Sequence, residues 1–152
     1  MAGEKIVQHK NGLNDSVPAV ASALGRAGLI PFVALPFLIF WLPGAHSLWT
    51  DALANYALAI TCFLPGAWWG LSLIRRSSSA LLLSNALVII AFAGRTLLDP
   101  GAFFLLAALL LVMTLVIEHR HPMFRPQPRY YARLRLQLTV VACAGLGVAA
   151  AL

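Results

Sequence analysis

Charged residues are scarce in this sequence. They make up 11% of the 152 residues, whereas soluble domains carry about 25%. Hydrophobic residues make up 61%. A soluble domain of about 150 residues leaves roughly a third of its unfolded surface in water, and a chain this apolar could not cover that surface with polar groups. The composition excludes a water-soluble fold and predicts an integral membrane protein.

Acidic residues are the scarcest charged class, with 5 Asp and Glu against 11 Lys and Arg. All five are expected at helix ends or in loops: Glu4, Asp15, Asp51, Asp99 and Glu118. An ion-coupled pump needs acids buried in the membrane, so this class is disfavoured. The basic residues are spread over short segments between apolar runs, a pattern that does not suggest nucleic-acid binding.

Cysteines are few, with two in the chain, and catalytic motifs are absent from the sequence. Cys62 and Cys143 both lie in apolar runs, which favours packing over disulfide formation. We find no nucleophile beside a base, no phosphate loop, no paired intramembrane carboxylates and no haem-ligating histidine pair. The segment from Glu118 to His121 offers possible metal ligands, but its spacing matches no standard zinc pattern. We therefore expect no enzymatic activity, no cofactor and no metal site.

Long apolar runs are what the sequence has instead. Five of them meet or approach the roughly 20 residues that a spanning helix needs. We predict an all-α bundle of five transmembrane helices over residues 19–42, 52–74, 80–98, 101–117 and 134–152. The short connections predict antiparallel neighbours in one domain, 19–152. Residues 1–18 form a polar tail without the apolar core of a signal peptide, so we expect no cleavage there.

The placement of Lys and Arg predicts the orientation. These residues concentrate in the tail and in the links that follow the second and fourth helices, whereas the loop Pro43–Asp51 has none. The positive-inside rule then predicts a bacterial inner-membrane protein with a cytoplasmic N-terminus and a periplasmic C-terminus. Because anionic lipid attracts basic residues near the surface, we predict a lipid-binding surface at the cytoplasmic face, formed by Arg125, Arg129, Tyr131, Arg133 and Arg135.

Helix-perturbing residues are dense in the first predicted helix, which contains Gly25, Arg26, Gly28, Pro31 and Pro36. They are consistent with a plain kink in a closely packed helix, or with a broken helix that lines a binding site. A charge at the depth of Arg26 is costly unless it reaches water. Arg26 therefore either extends its side chain toward the cytoplasm or contacts an anion or lipid headgroup.

The second predicted helix carries a small-xxx-small pair, Gly66 and Gly70, beside Trp69. This spacing lets two helix backbones approach closely. It predicts packing within the bundle, or an interface with a second copy or a partner. Gly145 and Ala149 repeat the spacing in the last helix and could form the complementary surface.

One ion pair is predicted at the opposite side of the membrane. Arg95 and Asp99 are four residues apart, a spacing that places both on one face of a helix. We expect them to pair at the hairpin between the third and fourth helices.

Three stretches together resemble a known family. They run from Leu24 to Phe32, from Asn55 to Leu71 and from Tyr131 to Arg135. In order and spacing they are similar to a domain-of-unknown-function family of five-helix inner-membrane proteins that includes mitochondrial transmembrane protein 69. The resemblance covers residues from about 20 to 152 and implies no established reaction. The matching positions are Gly28, Pro31, Tyr56, Gly66, Trp69, Gly70, Tyr131 and Arg135.

Two functions follow as hypotheses. The first is a non-enzymatic accessory or scaffold protein that associates through its glycine faces, as a homodimer or within a larger membrane complex. The second is a small carrier or binding protein for a lipid, quinone or other apolar molecule. It predicts a cavity open to the bilayer and bordered by Pro31, Tyr56 and Trp69. A membrane enzyme ranks third, and would require a buried cluster of polar residues that converge from several helices.

Overall fold

A computed structural model describes residues 19–126 and 129–152. These residues form helices, with no strand among them. α1 covers residues 19–27, and the helices after it are α2 (Ile30–Trp41), α3 (His46–Arg75), α4 (Ser78–Leu97), α5 (Pro100–Arg120) and α6 (Arg129–Ala150). Two short 3-10 turns, Pro43–Ala45 and Pro122–Phe124, lie in the connections.

Within the described residues, five helical segments are long and apolar enough to cross a membrane. α1 and α2 together form the first span, Ala19–Trp41. The other four spans are formed by α3, α4, α5 and α6. Large apolar side chains such as Ile74 and Leu97 are exposed on the outer surface, where only lipid could solvate them favourably. The predicted all-helical membrane architecture with five spans is therefore confirmed.

The helices are longer than the apolar runs that predicted them. α3 begins at His46 rather than 52, α5 continues to Arg120 rather than 117, and α6 begins at Arg129 rather than 134. An apolar run marks the part of a helix in hydrocarbon, whereas backbone hydrogen bonding continues into the polar layer at either end. The predicted boundaries were wrong for this reason, and the last turn of α5 includes Glu118.

α3 and α5 are the central helices of the bundle, and each contacts several of the other helices. α3 packs against α2, α4 and α5, while α6 packs against α5 and α2. The approach of α6 to α2 is close enough that a Cβ at Gly145 would collide with the carbonyl oxygen of Phe32. Small residues at helix crossings of this kind are what allow such approach in membranes.

The first span is broken at Gly28 and Leu29, between α1 and α2. Pro31 is the second residue of α2 and has no N–H to donate to the carbonyl four residues earlier. The hydroxyl of Tyr56 donates to the carbonyl oxygen of Gly28 at 2.8 Å, and its ring lies edge-on to Phe32. The break is thus stabilised by a side chain from α3.

The predicted ion pair between Arg95 and Asp99 is wrong. Arg95 Nη2 instead bonds Asp51 Oδ1 at 2.9 Å. α4 ends at Leu97, so Asp99 has an extended backbone and no longer shares a helix face with Arg95. The Asp99 carboxylate accepts from the backbone N–H of Ala102 at 3.1 Å and caps α5, a role for which aspartate is strongly preferred.

Candidate functional site

A buried ion pair joins α5 to α6. Glu118 and Arg135 are each 5% exposed. Arg135 Nε lies 2.8 Å from Glu118 Oε2, and Nη2 lies 3.1 Å from Oε1. The planar guanidinium therefore binds the carboxylate with two parallel hydrogen bonds, the strongest arrangement that these groups form.

Two further side chains bond the pair. Trp68 of α3 donates its indole N–H to Glu118 Oε1 at 3.0 Å, and Arg135 Nη2 donates to the hydroxyl of Thr114 at 3.5 Å. We call Trp68, Thr114, Glu118 and Arg135 the polar cluster. It connects three helices, and its two charges compensate each other inside the protein, where an isolated charge is costly.

The connection between α5 and α6 covers the polar cluster. Met123 and Phe124 are both buried. The hydroxyl of Ser72 donates to the sulfur of Met123 at 3.4 Å, while the ring centroid of Phe124 lies 5.2 Å from that of Trp68. The connection therefore folds back onto α3 and shields the ion pair.

The polar cluster corrects two sequence-based interpretations. Glu118 lies in the last turn of α5, as expected for a helix end, but it is buried rather than exposed as an interfacial cap. Arg135 was predicted on a lipid-binding surface, but it is buried and paired with Glu118. The pairing joins residues 17 positions apart on different helices, which helical spacing within one segment cannot reveal. One signal was present: Tyr131, Arg135 and Thr139 recur every four residues and share one face of α6.

That face of α6 forms one wall of a cavity of about 440 Å³. The opposite walls come from α1, α2, α3 and α5 and are apolar. Leu24 and Phe63 are 68% and 69% exposed and form a rim on the outer surface, so the cavity opens sideways. Its lining consists of Ala21, Leu24, Gly25, Gly28, Leu29, Phe32, Ile60, Phe63, Leu64, Leu111, Tyr131, Leu134, Arg135, Leu138, Thr139 and Ala142.

Thr139 differs from the other buried threonines. Its side chain is 4% exposed, and its hydroxyl has no hydrogen-bond partner among the described residues. By contrast, the hydroxyl of Thr61 donates to the Ala57 carbonyl at 2.8 Å, and that of Thr114 donates to the Leu111 carbonyl at 2.8 Å. An unpaired buried hydroxyl destabilises the protein by roughly 1–3 kcal/mol. Thr139 is one of the residues that line the cavity, so an unused polar group is buried at the cavity wall.

None of the three residues predicted to border a cavity, Pro31, Tyr56 and Trp69, lines this one. Gly28, another position singled out from the sequence, does line it. The Tyr56 hydroxyl is bonded to the break in the first span, and Trp69 faces outward. The prediction failed because adjacent tryptophans on a helix point in different directions, and Trp68 is the one that faces inward.

The glycine pair of α3 does not pack within the bundle. Gly66 and Gly70 are exposed, and a Cβ at either would meet no heavy atom of the described residues within 4 Å. Gly145 packs against Phe32 of α2 instead of against this pair. The alternative of close packing inside the bundle is therefore wrong for Gly66 and Gly70, and they leave a narrow open strip on α3.

The remaining members of the predicted lipid surface differ in position. Arg125 and Arg133 are exposed, whereas Tyr131 is half-buried in the cavity wall. The side chain of Arg129 lies outside the described residues. The exposed arginines at this end of the bundle are Arg75, Arg76, Arg120, Arg125 and Arg133.

The possible metal ligands of the α5–α6 connection do not converge. Glu118 is buried, whereas His119 is exposed. His121 Nε2 lies 3.1 Å from the hydroxyl of Ser79, and its Nδ1 accepts from the N–H of Met123. Among the described residues, no three His, Cys, Asp or Glu side chains come together.

The described structure defines a multi-pass helical membrane protein with a polar cluster beside a laterally open, largely apolar cavity. A family model described as protein of unknown function (DUF3429) matches residues 17–151, and the chain belongs to this family. No curated protein and no solved structure matches the chain.

Proposed function

We propose that this protein is a non-enzymatic binding protein for a small apolar molecule of the bilayer, such as a lipid or a quinone. The cavity carries this proposal. Its volume of about 440 Å³ falls within the roughly 300–1,000 Å³ of typical ligand sites. Its apolar walls and sideways opening suit a molecule that enters from lipid, and Thr139 supplies a polar contact.

The chemistry of the polar cluster supports binding over catalysis. The Glu118 carboxylate accepts hydrogen bonds from both Trp68 and Arg135, so its oxygens are engaged within the protein. Arginine remains protonated in proteins and cannot act as a base. We propose that the cluster is a structural clamp that fixes α6, and with it the cavity wall.

Native mass spectrometry of protein released gently from its own membrane tests the proposal. We expect a bound small molecule of reproducible mass on the wild-type protein. Leu64→Trp places a larger side chain in the cavity wall and should remove this mass. The matched control is Leu82→Trp, at an exposed position of α4, and should retain it. An identical ligand profile for the two variants would contradict the cavity as the binding site.

Association through α3 is a second candidate function, and the open strip at Gly66 and Gly70 favours it. Small residues with no intramolecular neighbour let another helix approach to backbone distance. We propose that a second copy, or a subunit of a larger membrane complex, packs there and that the protein serves as a scaffold.

A pair of isoleucine substitutions tests this second candidate. Gly66→Ile should eliminate a heavier species in native mass spectrometry, because the branched side chain blocks close approach. Gly147→Ile is the control, since Gly147 is also exposed and has no neighbour within 4 Å among the described residues. A wild-type protein that is monomeric in several mild detergents would argue against the scaffold function.

The proposed location is the bacterial inner membrane, with the N-terminus in the cytoplasm. The exposed arginines at one end of the bundle support this orientation through the positive-inside rule. They also support contact with anionic lipid at the cytoplasmic face. Reporter fusions at the C-terminus test this orientation. An alkaline phosphatase fusion should be active and a green fluorescent protein fusion should not fluoresce, because the C-terminus is expected in the periplasm. The reverse result would place the C-terminus in the cytoplasm.

A further inference from the structure

We propose that the cavity selects an uncharged amphipathic molecule, whose apolar body fills the cavity and whose hydroxyl or carbonyl group bonds Thr139. The inference rests on the proposed binding function and specifies its ligand class. It depends on three features of the cavity wall: the balance of charge, the unpartnered hydroxyl and its depth.

The charge of the wall is already balanced. Arg135 is the charged side chain among the residues that line the cavity, and it binds Glu118 with two hydrogen bonds. An anionic ligand that recruited Arg135 would weaken this pair and leave the buried Glu118 carboxylate less compensated, which is strongly unfavourable. The described residues of the lining include no acid that could bind a cationic ligand. The wall therefore favours a ligand without net charge.

The hydroxyl of Thr139 provides the polar contact. Thr139 lines the cavity, and its hydroxyl is buried at the wall without a partner among the described residues. A hydroxyl can both donate and accept, so it can bond a ligand carbonyl or hydroxyl. Tyr131 and Arg135 lie on the same face of α6, and the facing walls are apolar. A wall that carries a few polar side chains among apolar ones, facing walls that are entirely apolar, suits an amphipathic ligand.

The depth of Thr139 also disfavours a charged group. Thr139 lies five residues after Leu134, where the apolar run of α6 begins, which corresponds to about 8 Å along the helix. The hydrocarbon core of a bilayer is about 30 Å thick, so Thr139 lies inside it, on the side of the exposed arginines. A charged headgroup at this depth would be expensive to desolvate. Anionic headgroups are better served by the exposed arginines at the end of the bundle.

Matched probes test the ligand class on the full-length protein in nanodiscs. The uncharged probes are 1-oleoylglycerol and decylbenzoquinone. The anionic probe is oleoyl lysophosphatidic acid, which differs from oleoylglycerol by its phosphate. Binding is measured by native mass spectrometry titration. We expect at least one uncharged probe to bind more tightly than the anionic probe, and Leu64→Trp to prevent that binding.

Threonine variants test the contact itself. Thr139→Val keeps the shape but loses the hydroxyl, and should weaken binding of the uncharged probe about three- to tenfold. Thr139→Ser retains the hydroxyl and should bind like the wild-type protein. Thr61→Val is the matched control, because the Thr61 hydroxyl is satisfied within α3. Far-UV circular dichroism verifies that each variant is folded.

Three other results are possible, and each would overturn a specific part of the proposal. Anionic-probe binding that is equal or tighter and is prevented by Leu64→Trp would overturn the ligand class but leave the binding function intact. Uncharged-probe binding that is unaffected by Thr139→Val would overturn the role of Thr139. If no probe binds and the wild-type protein leaves its own membrane without a bound molecule, both the inference and the binding function fail.

Discussion

The two ends of the bundle each hold an arginine–carboxylate pair, but in different surroundings. Where α5 ends and α6 begins, the side chains of Arg135 and Glu118 are each 6% exposed. At the opposite end, the side chains of Arg95 and Asp51 are 26% and 59% exposed. The same chemical groups are therefore enclosed by protein at one end and open to the surroundings at the other.

Burial gives these pairs different consequences. Exposed pairs contribute little to stability, because water and salt screen their charges. Removing one partner of a buried pair leaves an uncompensated charge and is strongly destabilising. Trp68 and Thr114 also bond the buried pair, which fixes α3, α5 and α6 relative to one another. We therefore expect the buried pair to hold α6 and its cavity wall in place, and the exposed pair to contribute little to stability.

Glu118→Ala should have the largest effect. It leaves the Arg135 charge buried, and we expect the free energy of unfolding to fall by about 3–5 kcal/mol. Titration with SDS in mixed micelles, followed by far-UV circular dichroism, measures this loss. The double variant Glu118→Leu with Arg135→Met removes both charges and should recover most of the stability. A single variant as stable as the wild-type protein would contradict the role assigned to burial.

Trp68→Phe should have an intermediate effect. It retains an aromatic ring against Phe124 but removes the indole N–H that donates to Glu118 at 3.0 Å. Hydrogen bonds to charged groups contribute about 1.5–3 kcal/mol, and the same titration should detect a loss in this range. Trp69→Phe is the control, because Trp69 is exposed, and it should change stability by less than about 0.5 kcal/mol. Equal losses for the two variants would contradict the importance of this bond.

The five spans could be predicted from sequence because the length of an apolar run is a local property. The hairpin between α4 and α5 was predictable for the same reason, since Pro100 prevents α4 from continuing. The polar cluster was not predictable in this way. Glu118 and Arg135 meet because of how α5 and α6 are rotated against each other, and neither apolar run specifies that rotation.

Helix rotation also explains the result for the glycine pairs. Gly66 with Gly70 and Gly145 with Ala149 have identical spacing, yet Gly145 packs against Phe32, whereas Gly66 and Gly70 remain open. Small-xxx-small spacing predicts that close approach is possible but not which partner uses it. The polar stripe of Tyr131, Arg135 and Thr139 on α6 was the better local indicator of an inward face.

Asp51→Asn should have the smallest effect and directly tests the comparison between the ends. The substitution removes the charge of an exposed pair but keeps the shape of the side chain, so we expect a loss of about 0–1 kcal/mol. Raising the salt concentration from about 0.1 to 1 M shortens the Debye length from about 10 to 3 Å. The difference from the wild-type protein should therefore vanish in high salt, while that of Glu118→Ala should persist because its charge is shielded from ions. Asp51→Asn could instead destabilise the protein as much as Glu118→Ala at both salt concentrations. Burial would then not explain the difference in stability that we expect between the two ion pairs. Arg95, which also donates to Asn55 at 3.3 Å, would have to be treated as part of a second structural clamp.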